Sequence, residues 1–156
     1  MSTEKIWQML STSSDDTELI GENLGARLKG GETIVLHSDL GGGKTTLTRG
    51  IVRGAGSSER VTSPTFTVSR AYRAPSFEIM HYDFYRLADA GIMAQEFRES
   101  VEDQSVVSIV EWSDVVKEML PNDVLNITMT HSGPVSRDIS CIYPPDLAYL
   151  FEGWAR

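Results

Sequence analysis

Lys44 and Thr45 stand behind three glycines in IVLHSDLGGGKTTLTRG, residues 34–50. A lysine followed by a hydroxyl residue, on a backbone able to wrap tightly, is what the binding of a polyphosphate requires. The phosphate-loop pattern is G-x-x-x-x-G-K-[ST], and counting back from Lys44 puts Ser38 where its first glycine falls. That position closes the preceding strand, ahead of the tight wrap, so it is the glycine most open to replacement. Backbone N–H groups of residues 41 to 46, from Gly41, Gly42 and Gly43 to Thr46, are expected to face the phosphates at the positive end of a helix dipole. Lys44 would bridge the β- and γ-phosphates, and the Thr45 hydroxyl would ligate Mg²⁺. Gly41 and Gly43 matter because the loop must reach positive φ.

Binding is not hydrolysis, which also needs an acid to orient the metal and a group to position water. Two carboxylates stand at strand ends. Glu111 closes the apolar run VVSIVEW, the Walker B arrangement, and Asp83 follows the alternating MHYDFYR. Both are expected to be catalytic and to hold the metal with Thr45. TSPTFT offers hydroxyls that could sense a γ-phosphate as a switch loop does, Thr65 foremost, with Ser63 and Thr67 behind it. His37 and His81 lie in strand-like runs and read as packed or edge histidines, not catalytic bases. With three histidines and one cysteine in the chain, a zinc cluster is not expected. The flanks of Cys141, DISCIY, place it in a strand as a small buried residue.

The elements that must carry these residues alternate along the chain. A first helix starts near residues 15 to 17, carries Ile20, Leu24 and Leu28, and stops at Gly30 and Gly31. ETIVLH reads as a buried strand, and KTTLTRGIVRGAG as a helix ending among Gly54 and Gly56. Pro64 biases Ser63 away from helix, so residues 61 to 75 read as a loop feeding a strand. Residues 77–87 are strand-like, 88–103 helical, 105–112 a strand, and SDVVKEML a short helix stopped by Pro121. VLNITMT and RDISCIY flank HSGP as a hairpin, and Asp146 caps a last helix running to Arg156. The expected class is α/β, a P-loop NTPase-like, mostly parallel sheet flanked by helices with a C-terminal antiparallel hairpin, in one domain over residues 1–156.

The bulk composition narrows the partners. The chain has 156 residues, 40% hydrophobic and 23% charged, which is the balance of a soluble globular protein. No apolar run approaches the ~20 residues needed to cross a bilayer, and the N-terminus has no apolar segment of signal-peptide length. A cytoplasmic protein with no membrane partner is expected. With 14 basic against 22 acidic residues, net charge is −8, which opposes free-standing affinity for nucleic acid. Arg49, Arg53, Arg60, Arg70 and Arg73 cluster in sequence and read as a solvated face.

SDLGGGKTTLTRG, SPTFTV, HYDFYRLAD and IVEW, in that order and spacing, together resemble the TsaE (YjeE) family of small bacterial P-loop ATPases, over about residues 15–140. The resemblance implies ATP and Mg²⁺ as cofactors and slow hydrolysis by the protein alone. It also implies a role in forming the threonylcarbamoyl modification on the adenosine next to the anticodon of tRNAs reading ANN codons. The partners implied are TsaB and TsaD, with tRNA met only through that complex. The family's phosphate loop falls on Asp39, Leu40, Gly41, Gly42, Gly43, Lys44, Thr45 and Thr46. Its magnesium ligands match Thr45 and Glu111, its essential aspartate Asp83, and its switch-like segment Ser63 to Thr67. Arg137 is the nearest match to an arginine close to the nucleotide, and the residues around Thr12 would lie against the base.

Two departures stand out. Ser38 replaces the usual glycine, and AGIMAQEFRESVED differs from the acidic, glycine-containing run that typically follows YRLAD in the family. Two other functions fit a phosphate loop. A small-molecule kinase would need an acceptor pocket and a lid with several arginines; no clear lid stands in the sequence, though residues 86–98 carry two arginines. A non-hydrolysing nucleotide-binding module would follow if Ser38 or a misplaced acid spoiled turnover.

Overall fold

The computed structural model describes residues 3–39, 43–64, 67–89, 91 and 93–154. Leu40, Gly41, Gly42 and Thr65 therefore lie outside the described residues. Among the described residues, seven strands form one sheet in the order β1-β7-β6-β2-β5-β4-β3. They are β1 (Lys5–Ser11), β2 (Thr33–His37), β3 (Ser69–Arg73), β4 (Glu78–Asp83), β5 (Val106–Glu111), β6 (Val124–His131) and β7 (Arg137–Tyr143). The central strands β6, β2, β5 and β4 pair in parallel, while β7, β1 and β3 add antiparallel edges. The α/β class and the appended hairpin, β6 with β7, are as the sequence pattern predicts.

Among the described residues three α-helices flank the sheet: α1 (Ser14–Gly25), α2 (Lys44–Gly54) and α3 (Met93–Glu102). On one face α1 and α2 cover the larger core, in which Ile20, Leu24, Leu47 and Ile51 meet Ile34, Leu36, Ile109 and Ile127. The two helices touch backbone to backbone. A Cβ on Gly25 would stand 2.0 Å from the Ile51 carbonyl oxygen, and one on Gly50 would stand 2.1 Å from that of Glu18. Gly21 and Gly54 are equally tight, at 2.4 and 2.1 Å from facing carbonyl oxygens. Glycine is therefore needed here for close approach, and the seam ties the helix behind the phosphate loop to its neighbour.

On the other face, α3 and a 3-10 helix (Ser113–Met119) close a smaller core of Tyr82, Phe84, Phe97, Val101, Val110 and Val116. The rings of Tyr82, Phe84 and Phe97 pack at 5.1–5.6 Å, and burial pushes the Tyr82 hydroxyl up to about 12. Cys141 is buried in β7, and burial raises its thiol to about 12, so it behaves as a small apolar side chain.

The differences from the sequence pattern have physical causes. Nothing local predicts β1, because Ile6 and Leu10 point outward, 62% and 52% exposed, while Trp7 and Ser11 point inward. Its pairing with β7 is decided across most of the chain's length. The first helix ends at Gly25, not at Gly30, and Leu28 packs from the turn that follows. The strand expected over 77–87 stops at Asp83, and the helix expected over 88–103 occupies Met93–Glu102. The last helix is a 3-10 segment, Pro145–Phe151, and does not reach Arg156.

Candidate active site

Helix α2 opens directly on the glycine loop. Its N-cap, Gly43, sits at φ 98°, and a Cβ there would lie 3.2 Å from Met129 Cε, so a side chain would meet both strain and contact. Among the described residues no side chain caps α2, and its first turn holds no acid. The first N–H groups of the helix are thus left without a capping side chain, which is the arrangement an anion fits. Thr45 and Thr46 follow in that turn, half-buried.

Lys44 is 7% exposed. Its Nζ donates to the Ser38 carbonyl at 3.1 Å and the Asp39 carbonyl at 3.5 Å, and lies 3.9 Å from Glu111 Oε1. It also stands 4.9 Å over the Trp112 ring. Ser38 Oγ turns away and donates to the Asp39 carbonyl at 2.8 Å, so the departure from glycine leaves a side chain bonded within its own turn.

The parallel pairing of β2, β5 and β4 brings the acids together. Glu111 is register partner to Leu36 on one side and Asp83 on the other, and both carboxylates are buried at the C-terminal ends of their strands. Asp83 Oδ1 accepts the Tyr85 N–H at 3.0 Å, and the Asp83 N–H donates to the Val68 carbonyl at 2.8 Å. Among the described residues, the non-glycine positions held at positive φ are Val68 and Trp112, at 69° and 57°. Such backbone costs about 1–3 kcal/mol per residue and persists where its surroundings over-determine it. One follows Glu111 and the other holds Asp83, so the strain is stored at the two acids. Trp112 also packs on Tyr85, ring centres 4.8 Å apart.

A cleft of about 290 Å³ opens beside Gly43, lined by Ser14, Thr17, Thr46, Pro134, Val135 and Arg137. Arg137 Nη1 donates to the Ser136 carbonyl at 3.0 Å, and its Nε lies 3.9 Å from the position a Gly43 Cβ would take. Thr12 does not line this cleft; its N–H donates to Asp16 Oδ2 at 3.0 Å. Across Lys44 a second cleft of about 340 Å³ runs past Ser38, Asp39, Trp112 and Asp114. The structure thus gathers Asp39, Gly43, Lys44, Thr45, Thr46, Asp83, Glu111 and Arg137 at one end of the sheet, with Thr12 at its margin.

One participant, His81, reads from the sequence as a packed or edge histidine. His81, fully buried on β4, places Nε2 2.5 Å from Glu111 Oε2. Strand periodicity could have found it, since His81 and Asp83 share a face of β4.

A glycine-flanked lysine opening a helix behind a central parallel strand, with two acids at neighbouring strand ends, defines a P-loop NTPase-like α/β protein. The family model described as Threonylcarbamoyl adenosine biosynthesis protein TsaE matches residues 11–139, and the chain belongs to that family. It is 33% identical over 132 residues to the tRNA threonylcarbamoyladenosine biosynthesis protein TsaE of Bacillus subtilis (strain 168), covering 83% of this chain and 81% of that one. The protein of the same name from Nostoc sp. is 29% identical over 140 residues, 88% of this chain and 86% of that one. The crystal structure of Bacillus subtilis YdiB superposes with a TM-score of 0.70 at 28% identity, over 94% of this chain and 89% of that one. No helix among the described residues is long and apolar enough to cross a membrane.

Proposed function

We propose that this chain is a slow, Mg²⁺-dependent ATPase serving tRNA threonylcarbamoyladenosine biosynthesis, the process for which its relatives are named. It would act with TsaB and TsaD on the modification next to the anticodon of tRNAs reading ANN codons, and meet tRNA only through them. The carrying observation is that Glu111 and Asp83 are register partners, with Lys44 Nζ 3.9 Å from Glu111 Oε1.

The residues fit the nucleotide chemically. The N–H groups that open α2 supply donors without a competing acid. Lys44 would exchange the carbonyls of Ser38 and Asp39 for phosphate oxygens, a neutral acceptor for a charged one, which strengthens the bond. Thr45 and Glu111 would hold the metal, with Asp83 beside them. The cleft beside Gly43, with Arg137 on its wall, would take the nucleoside end. Bound Mg²⁺-ATP supplies the cleaved phosphoanhydride and the divalent charge that offsets the charge developing there. Asp83, held by the Tyr85 and Val68 backbones, keeps its carboxyl at the strand end, and Trp112 shields Lys44 from water.

The test measures phosphate release from ATP by the chain alone and with TsaB and TsaD, alongside threonylcarbamoyl formation on tRNA with the chain present or omitted. Slow release that rises several-fold with the partners, and modification that needs the chain, are expected. Phosphate transferred to an added metabolite would replace this reading with a kinase. Tight ATP binding without turnover, even with partners, would replace it with a binding module.

A further inference from the structure

We infer that His81 is a positioning residue for Glu111, fixing which oxygen of that carboxylate faces the phosphate site. The inference deepens the ATP-hydrolysis reading and rests on it.

The position does not call for an imidazole on packing grounds. On β4 the same face carries Ile79, His81 and Asp83, and the register partner of His81 on β5 is Ile109, so an aliphatic residue would continue the core. A buried polar side chain costs stability unless it is hydrogen-bonded. His81 is 0% exposed, its Nδ1 has no partner among the described residues, and Nε2 meets Glu111 Oε2 at 2.5 Å. The ring therefore has one bond to offset its burial, and that bond goes to the acid at the site.

The geometry makes this a clamp. Glu111 is hydrogen-bonded to His81 through Oε2, while its Oε1 lies 3.9 Å from Lys44 Nζ, an ion-pair distance, so the two oxygens face different partners. A carboxylate at the end of a side chain with three torsions would otherwise rotate among several settings. Since an ionised carboxylate only accepts, the hydrogen sits on Nε2. His81 binds from the sheet side, two residue pairs back from the strand ends, and leaves Oε1 on the side of Lys44. Partners that orient a metal-holding or catalytic group in this way carry much of a site's rate without touching substrate.

The experiment uses the full chain as wild type, His81→Leu, His81→Gln, Glu111→Ala and the His81→Leu/Glu111→Ala double variant. Turnover, ATP affinity with Mg²⁺ and thermal midpoint are measured for each, and the imidazole N–H proton resonance is followed by NMR. His81→Leu should lower kcat by ~10–100-fold, with ATP affinity moved by less than about threefold, the signature of an interaction that matters at the reacting step. His81→Gln, whose amide N–H reaches about as far as Nε2, should recover most of the loss. The double variant should be no slower than Glu111→Ala. A downfield imidazole N–H resonance should be present in the wild type and lost in both His81→Gln and Glu111→Ala.

Wild-type turnover in a folded His81→Leu would overturn the inference, as would losses that multiply in the double variant. A resonance indifferent to Glu111→Ala would overturn it too. If His81→Leu does not fold, turnover of His81→Gln and the resonance decide between the same two results. If the wild type itself does not hydrolyse ATP, the functional reading fails, while the resonance still decides whether His81 holds Glu111.

Discussion

Helices α1 and α2 lie side by side on the same face of the sheet, yet their N-termini are built in opposite ways. In α1 the Ser13 side chain accepts the Asp16 N–H at 3.0 Å, and Asp15 and Asp16 place negative charge in the first turn. That end is closed by its own residues. The first turn of α2 is Lys-Thr-Thr behind Gly43 at positive φ, with neither a capping side chain nor an acid. That end is open, and its donors remain for a ligand. Because both helices share one glycine seam and one core, the difference reflects what each N-terminus is for, not a difference in packing quality. Serine caps are cheap and common, so leaving one out at α2 is consistent with the proposal that this end meets phosphate.

The comparison can be broken most severely at the seam. The double substitution Gly25→Ala/Gly50→Ala should cost more than about 5 kcal/mol, because each methyl would drive into a facing carbonyl. Helix propensity alone has the opposite sign, favouring each alanine by ~1 kcal/mol. A urea unfolding midpoint that rises would show that the helices are not held backbone to backbone. Next in size, Glu111→Ala and Asp83→Ala should each slow ATP turnover by ~10²-fold or more, ~2.7 kcal/mol or more on the barrier, while the protein stays folded. Undiminished turnover in either variant would remove that acid from its assigned role.

Closing the open helix should separate stability from binding. Thr46→Asp supplies α2 with a first-turn acid, so the thermal midpoint should hold or rise while ATP affinity falls by about tenfold or more, ~1.4 kcal/mol. Unchanged affinity by calorimetry would mean the N-terminus of α2 does not face phosphate. The mirror experiment on α1 is Ser13→Ala, which should cost about 1 kcal/mol of stability and leave ATP affinity as it was. Smallest of all, Ser38→Gly should change ATP affinity by less than about tenfold, since the serine hydroxyl is spent on the Asp39 carbonyl. A larger gain would show that the serine obstructs the loop.

Much of the site was legible because its signals are local. A lysine and hydroxyl behind glycines, a strand before them and a helix after them lie within one short stretch. Acids that end apolar strands are equally visible, and Asp83 and Glu111 stand where that pattern puts them. Other features were not legible. The strand β1 hides because its exposed side carries Ile6 and Leu10, which inverts the usual alternation. His81 read as a packing residue because its partner lies 30 positions away on a neighbouring strand. The roles of Gly21, Gly25 and Gly50 were not legible either, since their close approach exists only between two helices.

The amino-acid sequence by itself determined the kind of chemistry. Glycines, Lys44, Thr45 and two strand-end acids follow from local conformational freedom, charge and periodicity, which a chain carries before it folds. Tertiary structure alone decided which groups meet. The placement of β5 between β2 and β4 sets Glu111 beside both Leu36 and Asp83, and the alternation of β4 turns His81 toward the same carboxylate. Strand order and helix contact depend on pairings between distant segments, where hydrogen bonds and burial are won only once those segments meet.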